Sequence, residues 1–296
     1  MSKPLWQAFN KQAVSQGDLS YQYCAFGESE HELSIVAMHG WLDNSASFTP
    51  MLKHLMQQDI PRKVDFYALD FAGHGHSFHR PAGCFYTIWD YAIDVVQFIE
   101  AKGLDKIILL GHSMGACVAP LVANVLPDKV VSIFAIEALG PLSGPVAETP
   151  LQLQQAVTAQ LQQQQRKPKV IASLETAIKA RMSSRFSVQE SAASLLVERA
   201  IQSTEDGFIW RSDRRATLPS PVRFSEEQVQ AILAALSCPV TLVVGDDLQT
   251  NKAFQIRAQA VTHLTWIALQ GGHHMHMENQ AVKCAEILIE LLLQRA

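Results

Sequence analysis

The chain has 296 residues, 48% of them hydrophobic, and a formal net charge of -4. A chain of this size can form one large domain with a substantial core, or one domain that carries an insertion. Charges of both signs are spread along the sequence, which argues against nucleic acid as a partner. No apolar run approaches the ~20 residues needed to cross a bilayer, so we expect no membrane span.

Five cysteines are scattered along the chain and form no Cys-x-x-Cys pair. Their odd number and wide spacing argue against both a disulfide framework and a zinc site. Free thiols in a reducing compartment are the simplest interpretation, so we expect the protein to be cytoplasmic. Nothing in the sequence indicates an oligomeric state.

Apolar runs of strand length alternate with helical stretches along most of the chain. The predicted strands are Ser20–Phe26, Leu33–Met38, Val64–Leu69, Lys106–Leu110, Val130–Ile136, Val240–Val244 and Leu264–Ala268. The predicted helices are Ser47–Gln57, Tyr86–Lys102, Ala116–Leu126 and Val282–Leu293. This alternation predicts an α/β fold whose mostly parallel sheet is covered by helices on both faces.

The alternation breaks between residues 140 and 223. This segment has no convincing strand, its composition shifts to Gln, Ala, Ser and Arg, and prolines cluster at both of its ends. We therefore predict an α/β core formed by residues 1–139 and 224–296. Residues 140–223 are predicted to be an inserted helical cap over the carboxyl edge of the sheet.

The glutamine-rich part of this segment still has apolar positions at helical spacing. They are Leu151, Leu153, Val157 and Leu161. Such positions favour a solvated helix over disorder.

A Gly-x-Ser-x-Gly pattern, Gly111-His-Ser-Met-Gly115, lies between a predicted strand and a predicted helix. A serine on a sharp strand-to-helix turn has its hydroxyl lifted clear of the sheet. The flanking glycines leave out the side chains that would clash in so tight a turn. We therefore predict that Ser113 is the nucleophile of a serine hydrolase.

The base is expected late in the chain, because strand-to-helix nucleophiles of this kind precede first the acid and then the histidine. The late loop reads Gln270-Gly-Gly-His-His-Met-His-Met-Glu278. His273 directly follows two glycines, which can turn its side chain back over the sheet, so it is the predicted base. His274 fits a surface histidine better. Three histidines in four residues also suggest a metal site, but no carboxylate or cysteine pattern supports one, and we predict no metal.

Four motifs together resemble those of α/β-hydrolases over nearly the whole chain. They are His39-Gly40-Trp41, Asp70-Phe-Ala-Gly-His-Gly-His-Ser77, Gly111-His-Ser-Met-Gly115 and Gly272-His273. The longer strings His39-Gly-Trp-Leu-Asp-Asn44 and Ile136-Glu-Ala-Leu-Gly-Pro141 resemble a subgroup called serine hydrolase-like proteins.

This resemblance implies an α/β-hydrolase fold and agrees with His273 as the base. It also implies an oxyanion hole made of the backbone N–H groups of Trp41 and Met114. Asp70 is expected to have a structural role, holding a tight loop through hydrogen bonds.

The position of the catalytic acid is where this sequence departs from the pattern of the family that it resembles. The resemblance implies an acid at the position of Leu248, which cannot serve. Asp247 is close by and could serve if the loop were one residue shorter. A second family location is the end of the preceding strand, where Glu137 stands. A glutamate that ends an apolar strand is costly unless it is paired or exposed in a cleft. We therefore place Glu137 first and keep Asp247 as the alternative.

These residues predict a serine hydrolase that cleaves a carboxylic ester or related small acyl compound through an acyl-enzyme, without a cofactor. Serine at the nucleophile position argues against the dehalogenase and epoxide-hydrolase branches. A carbon–carbon bond hydrolase or a thioesterase with the same triad is the alternative. A non-catalytic binding protein on this scaffold is a further alternative.

Overall fold

The computed structural model describes residues 5–27, 32–61, 63–163 and 169–294. Its strands are β1 (Ala8–Val14), β2 (Gly17–Phe26), β3 (Glu32–Met38), β4 (Lys63–Leu69), β5 (Ile107–His112), β6 (Val130–Ile136), β7 (Ile201–Thr204), β8 (Gly207–Trp210), β9 (Val240–Val244) and β10 (Leu264–Ala268). Eight of these strands form one sheet in the order β1-β2-β4-β3-β5-β6-β9-β10.

The α-helices of the described residues surround this sheet. They are α1 (Thr49–Leu55), α2 (Ile88–Lys102), α3 (Met114–Val125), α4 (Thr149–Gln163), α5 (Leu174–Met182), α6 (Glu190–Ala200), α7 (Glu226–Ala234), α8 (Asp246–Gln249), α9 (Lys252–Gln259) and α10 (Ala281–Gln294). None of them is long and apolar enough to cross a membrane.

In this sheet β4, β3, β5, β6, β9 and β10 are all parallel, and β1 and β2 run antiparallel to their neighbours at one edge. Alternate residues of the central strands enter two cores. Val36 and Leu109 pack with α2 and α3 on one face, whereas Ile35 and Leu110 pack with α1 and α10 on the other. A sheet buried on both faces needs such continuous apolar strands. The mostly parallel sheet with helices on both faces is therefore confirmed.

The sequence analysis missed the first strand, β1. This strand pairs with β2 across a tight turn and lies at the edge of the sheet. Its side chains include the exposed Phe9 and several polar residues. An edge strand with so little buried surface has no apolar run to reveal it.

Residues 140–223 differ from the prediction in one respect: they are not purely helical. The segment contains α4, α5 and α6, but it also contains a hairpin formed by β7 and β8, which is separate from the central sheet. The two strands have only four residues each and none of these residues is fully buried, so the apolar stretch Phe208–Trp210 is too short to stand out as a strand. Asp206-Gly207 at the hairpin turn is the local signal that could have indicated it. Residues 164–168 of the predicted cap lie outside the described residues.

The predicted solvated helix is present as α4, but its four apolar positions face outward. Leu151, Leu153, Val157 and Leu161 are all exposed. The helix is instead attached by glutamine side chains: Gln160 Nε2 donates to the carbonyl of Gly83 at 2.8 Å, and Gln152 Nε2 to that of Ser220 at 2.9 Å.

The start of α3 lies directly against the end of β3. A Cβ atom added at Gly115 would collide with the carbonyl oxygen of Met38, which is a backbone atom and cannot move aside alone. Gly115→Ala is therefore expected to lower the free energy of unfolding by about 1–3 kcal/mol, as overpacking does. Urea unfolding measures this. The control is Gly272→Ala, because a Cβ atom at Gly272 meets nothing within 4 Å. Equal stability of the two variants would contradict the close contact.

Candidate active site

Three loops at the carboxyl edge of the sheet bring a serine, a histidine and a glutamate together. Ser113 follows β5, Glu137 follows β6 and His273 lies in the loop after β10. His273 Nε2 is 2.9 Å from Ser113 Oγ, and His273 Nδ1 is 3.2 Å from Glu137 Oε2. A carboxylate only accepts, so Nδ1 carries the proton and Nε2 is left to accept the serine proton. The serine, the histidine and the glutamate that the sequence analysis predicted are thus joined by one continuous chain of contacts.

Glu137 is buried, at 6% exposure. Burial of a carboxylate is costly unless both oxygens find partners. One oxygen, Oε1, accepts the backbone N–H of Gly245, and the other faces His273. The carboxylate is therefore held between the loop after β9 and the histidine loop.

The alternative acid, Asp247, lies elsewhere. It is exposed in the first turn of α8, and none of the hydrogen bonds or ion pairs of the described residues includes its side chain. Its neighbour Asp246 instead joins the histidine loop: its Oδ2 accepts from the N–H of Gly271 at 3.1 Å, and its own N–H donates to the Gly271 carbonyl at 3.1 Å. Leu248 packs partly buried against the core.

Backbone strain is concentrated at this edge of the sheet. The non-glycine residues with positive φ in the described ranges are Leu42 (61°), Ser113 (50°) and Glu137 (60°). Each such conformation costs of order 1–3 kcal/mol and persists only where the surroundings enforce it. Ser113 and Glu137, two of the three predicted catalytic residues, are both among these strained residues.

The predicted oxyanion-hole residues flank the nucleophile. Met114 is the first residue of α3, so its N–H has no partner inside the helix, and the helix N-terminus favours negative charge. Trp41 lies on the loop after β3. This loop is joined to the turn that carries Ser113 by a 3.1 Å hydrogen bond from Gly115 N–H to the His39 carbonyl. None of the turn and loop hydrogen bonds of the described residues uses the N–H of Trp41 or Met114. The indole of Trp41 donates to the carbonyl of Ala216 at 2.8 Å.

Asp70 contacts backbone and cap rather than the triad. It accepts from the N–H groups of Ser45 and His76, each at 2.9 Å, and pairs with Arg199 of α6 at 2.7 Å. These contacts agree with the structural role expected for it.

The two other late histidines are buried, which corrects the interpretation of His274 as a surface residue. His274 is 3% exposed and His276 is 0% exposed. His274 Nε2 lies 3.0 Å from Oδ2 of Asp43, a buried residue that the sequence analysis did not single out. Its signal was its place in the motif after β3. Burial alone would raise the pKa of Asp43, but the hydrogen bond from His274 and the charges of His274 and Arg181 hold it well below its usual range.

Asp43, His112 and His274 offer atoms within 4.8 Å of one another that could hold a metal ion. The Asp43 carboxylate already has a partner on each of its oxygens, however. The guanidinium of Arg181 lies 2.7 Å from Asp43 Oδ1 and supplies the positive charge. His112 Nε2 lies 2.8 Å from the carbonyl oxygen of His273, which can only accept, so this nitrogen carries the proton and only Nδ1 of this ring could act as a ligand. We therefore propose no metal at this cluster.

Neutral histidines behind the site make stability depend on pH. Burial lowers the pKa of His74 and of His276 to about 3. In the unfolded chain a histidine takes up its proton near pH 6.5. The contribution of these neutral rings to the free energy of unfolding is therefore fully present above about pH 6.5. As the pH falls toward 3, this contribution is lost by about 1.4 kcal/mol per pH unit for each ring.

We expect the urea midpoint to fall steeply between pH 6.5 and 4. His276 is the ring to remove, because neither of its nitrogens has a hydrogen-bond partner among the described residues. In His276→Leu, the slope of the unfolding free energy against pH is expected to decrease by about 1.4 kcal/mol per pH unit. An unchanged slope would show that this ring does not stay neutral in the folded protein.

Comparison with known proteins identifies the family. Residues 34–280 match the family model described as alpha/beta hydrolase fold. The chain is 28% identical to a serine hydrolase-like protein of Danio rerio over 84% of this chain and 78% of that protein. It is 29% identical to one of Dictyostelium discoideum over 89% and 76%.

Solved structures agree. A hypothetical protein from Pseudomonas aeruginosa, PA1622, superposes with a TM-score of 0.86 at 33% identity, over 96% of this chain and 99% of that one. A thioesterase domain from the curacin biosynthetic pathway shares the fold, with a TM-score of 0.75 at 23% identity over 97% and 100%. The chain therefore belongs to the α/β-hydrolase family, within its serine hydrolase-like subgroup, as its motifs predicted.

Proposed function

We propose that this α/β-hydrolase is a serine hydrolase that cleaves a carboxylic ester or related acyl compound with Ser113, His273 and Glu137. The observation that carries the proposal is the continuous contact from Ser113 Oγ through the His273 ring to the Glu137 carboxylate, at 2.9 and 3.2 Å. A serine hydroxyl is a weak nucleophile until a positioned base takes its proton, and the base needs a third group to orient it.

In the proposed mechanism, His273 accepts the serine proton as Ser113 Oγ attacks the acyl carbon. Glu137 holds the ring in the required tautomer and stabilises the imidazolium that forms. The N–H groups of Met114 and Trp41 receive the developing oxyanion. The imidazolium then protonates the leaving group, and a water activated by His273 releases the acid from the acyl-enzyme. No step needs a cofactor.

We further propose that residues 140–223 act as the cap that determines substrate choice. The support is that the ring of Phe186, within this segment, stacks on the His273 ring at a centroid distance of 4.4 Å and an interplanar angle of 27°. This contact places an apolar side chain of the insertion beside the proposed base. A small acyl substrate with an apolar chain suits such a surface. Thioesters and carbon–carbon bond substrates would use the same triad, so a substrate panel separates these classes.

Ser113→Ala tests the nucleophile. Without the hydroxyl no acyl-enzyme can form, so hydrolysis of p-nitrophenyl butyrate should fall by ~10⁴-fold or more while the fold persists. Labelling of Ser113 by a fluorophosphonate probe, located by mass spectrometry, should be lost as well. The control is Ser237→Ala, at an exposed loop position, which should keep both activities. Normal turnover by the Ser113 variant would refute the mechanism.

A matched pair of substitutions tests the acid. Glu137→Gln keeps the shape of the side chain but removes the charge that stabilises the imidazolium, so kcat should fall by ~10³–10⁴-fold. Asp247→Asn is the same chemical change at the exposed alternative and should alter kcat less than about twofold. The opposite ranking of the two kcat values would assign the acid to Asp247.

A further inference from the structure

We propose that Arg181 is a positioning residue that fastens the inserted segment to the loop carrying His273, through its buried ion pair with Asp43. The inference rests on the proposed triad, because it concerns how the proposed base is held. It assigns a role to two residues that take no part in the acyl chemistry itself.

On the side of the insertion, Arg181 lies in the last turn of α5 with its side chain mostly buried. Its Nη1 donates to the carbonyl of Phe186 and to Ser184 Oγ, each at 2.7 Å. The same guanidinium therefore fixes the backbone of Phe186, whose ring stacks on His273. A shift of Arg181 would move the ring that covers the proposed base.

On the side of the core, Asp43 receives Arg181 Nη2 at 2.7 Å on one oxygen and His274 Nε2 at 3.0 Å on the other. His274 directly follows the proposed base in the chain. The His112 ring, whose Nε2 donates to the His273 carbonyl, has its Nδ1 3.7 Å from the same Asp43 carboxylate. The backbone on the carboxyl side of His273 is thus held from two directions by a cluster centred on Asp43.

The negative charge of the buried Asp43 explains why it needs the positive charge of Arg181 beside it. Asp43 is 2% exposed, and removal of its cationic partner would leave an uncompensated buried carboxylate beside His274. The cluster would then rearrange. This rearrangement would displace the His273 imidazole in two ways: through the Phe186 ring that stacks on it, and through the backbone that His112 holds. A displacement of about 1 Å at a catalytic group can cost ~10²-fold in rate.

The contacts of Arg181 also separate this role from substrate binding. Nη1 has two acceptors, and Nη2 faces Asp43 and lies 3.2 Å from His274 Nε2. A second buried arginine provides a comparison. Arg199 of α6 joins the insertion to Asp70 and to Ser20 Oγ, but its described hydrogen bonds do not reach the histidine loop. The two arginines both join the insertion to the core, whereas only Arg181 bonds to residues that touch His273.

The test compares Arg181→Met with two controls at a temperature where all variants are folded. Lys179→Met removes an exposed ion pair from the same helix, with Glu175. Arg199→Met removes the other buried pair. We measure kcat and KM for p-nitrophenyl butyrate and the rate of fluorophosphonate labelling of Ser113.

Arg181→Met is expected to lower kcat and the labelling rate together by about 10–100-fold, with KM changed by less than about threefold. Arg181→Lys should recover part of the loss, because it restores the charge but cannot bond to Asp43 and Phe186 at once. Lys179→Met should leave all values unchanged. Arg199→Met should lower Tm while the folded enzyme keeps its labelling rate. A wild-type labelling rate in folded Arg181→Met would overturn the proposal.

Two further measurements keep the result decisive. If Arg181→Met does not fold, Phe186→Ala retains the ion pair but removes the ring, and an unchanged kcat and labelling rate there would overturn the proposal. Amide hydrogen exchange over residues 271–277 does not depend on activity. It should be faster in Arg181→Met than in Arg199→Met, and equal rates would again overturn the proposal. Absence of labelling and of acyl turnover in the wild type would refute the proposed function, and the exchange measurement would still decide the role of Arg181.

Discussion

The structure depends on how closely α3 approaches the end of β3. Only a residue without a side chain fits at Gly115, because the carbonyl of Met38 occupies the space where a Cβ would lie. Gly111 meets the same constraint on the other side of the serine, since a Cβ there would lie 2.5 Å from the backbone nitrogen of Ala116. With the start of α3 this close to the ends of both β3 and β5, the turn from β5 into α3 has no room for an ordinary backbone conformation. The backbone of Ser113 therefore adopts a strained conformation with a positive φ, and its hydroxyl is raised at the edge of the sheet.

The strained edge is surrounded by buried carboxylates that are paired with groups from other elements. Asp70 joins the β4 loop to Arg199, Asp43 joins the β3 loop to Arg181, and Glu137 joins the β6 loop to the loop after β9. Each carboxylate is costly to bury alone and becomes tolerable because its partner comes from a different element. The same pairs therefore bring the insertion, the loop after β3 and the loop that carries His273 into one arrangement. Stability and the geometry of the site share these contacts.

The histidines of the site fall into two chemical groups. His112 and His276 are fully buried, and burial holds the pKa of each below its usual range. His273 is partly exposed beside a carboxylate, with one nitrogen toward the serine. Rings that stay neutral fill the space behind the site, whereas His273 lies between a hydroxyl and a carboxylate, as the proposed base requires. Residues close in sequence thus differ in chemistry because they differ in burial and partner.

The sequence by itself determined the parallel sheet, the strand-to-helix turn at Ser113 and the family, because each of these is indicated by a local sequence pattern. Continuous apolar strands, two glycines around a serine and a Gly-His pair near the end each occupy a few consecutive residues. It also narrowed the candidates for the acid to Glu137, placed first, and Asp247, the alternative, but it could not show which carboxylate lies beside the His273 ring. Glu137 and Asp247 differ in which one faces His273, and that depends on how the loops after β6, β9 and β10 meet.

Only the tertiary structure decided the burial of His274 and His276, the pairing of Asp43 with Arg181, and the hairpin within the insertion. Asp43 and Arg181 are 138 residues apart, and no local pattern links them. The hairpin strands are only four residues long and partly exposed, so the sequence gives a weak signal for them, and β1 was not predicted because it is an edge strand with several polar residues. Local sequence patterns encode how each segment buries its own surface. Contacts between distant charged groups arise only when the whole chain has packed, because each partner becomes necessary once the other is buried.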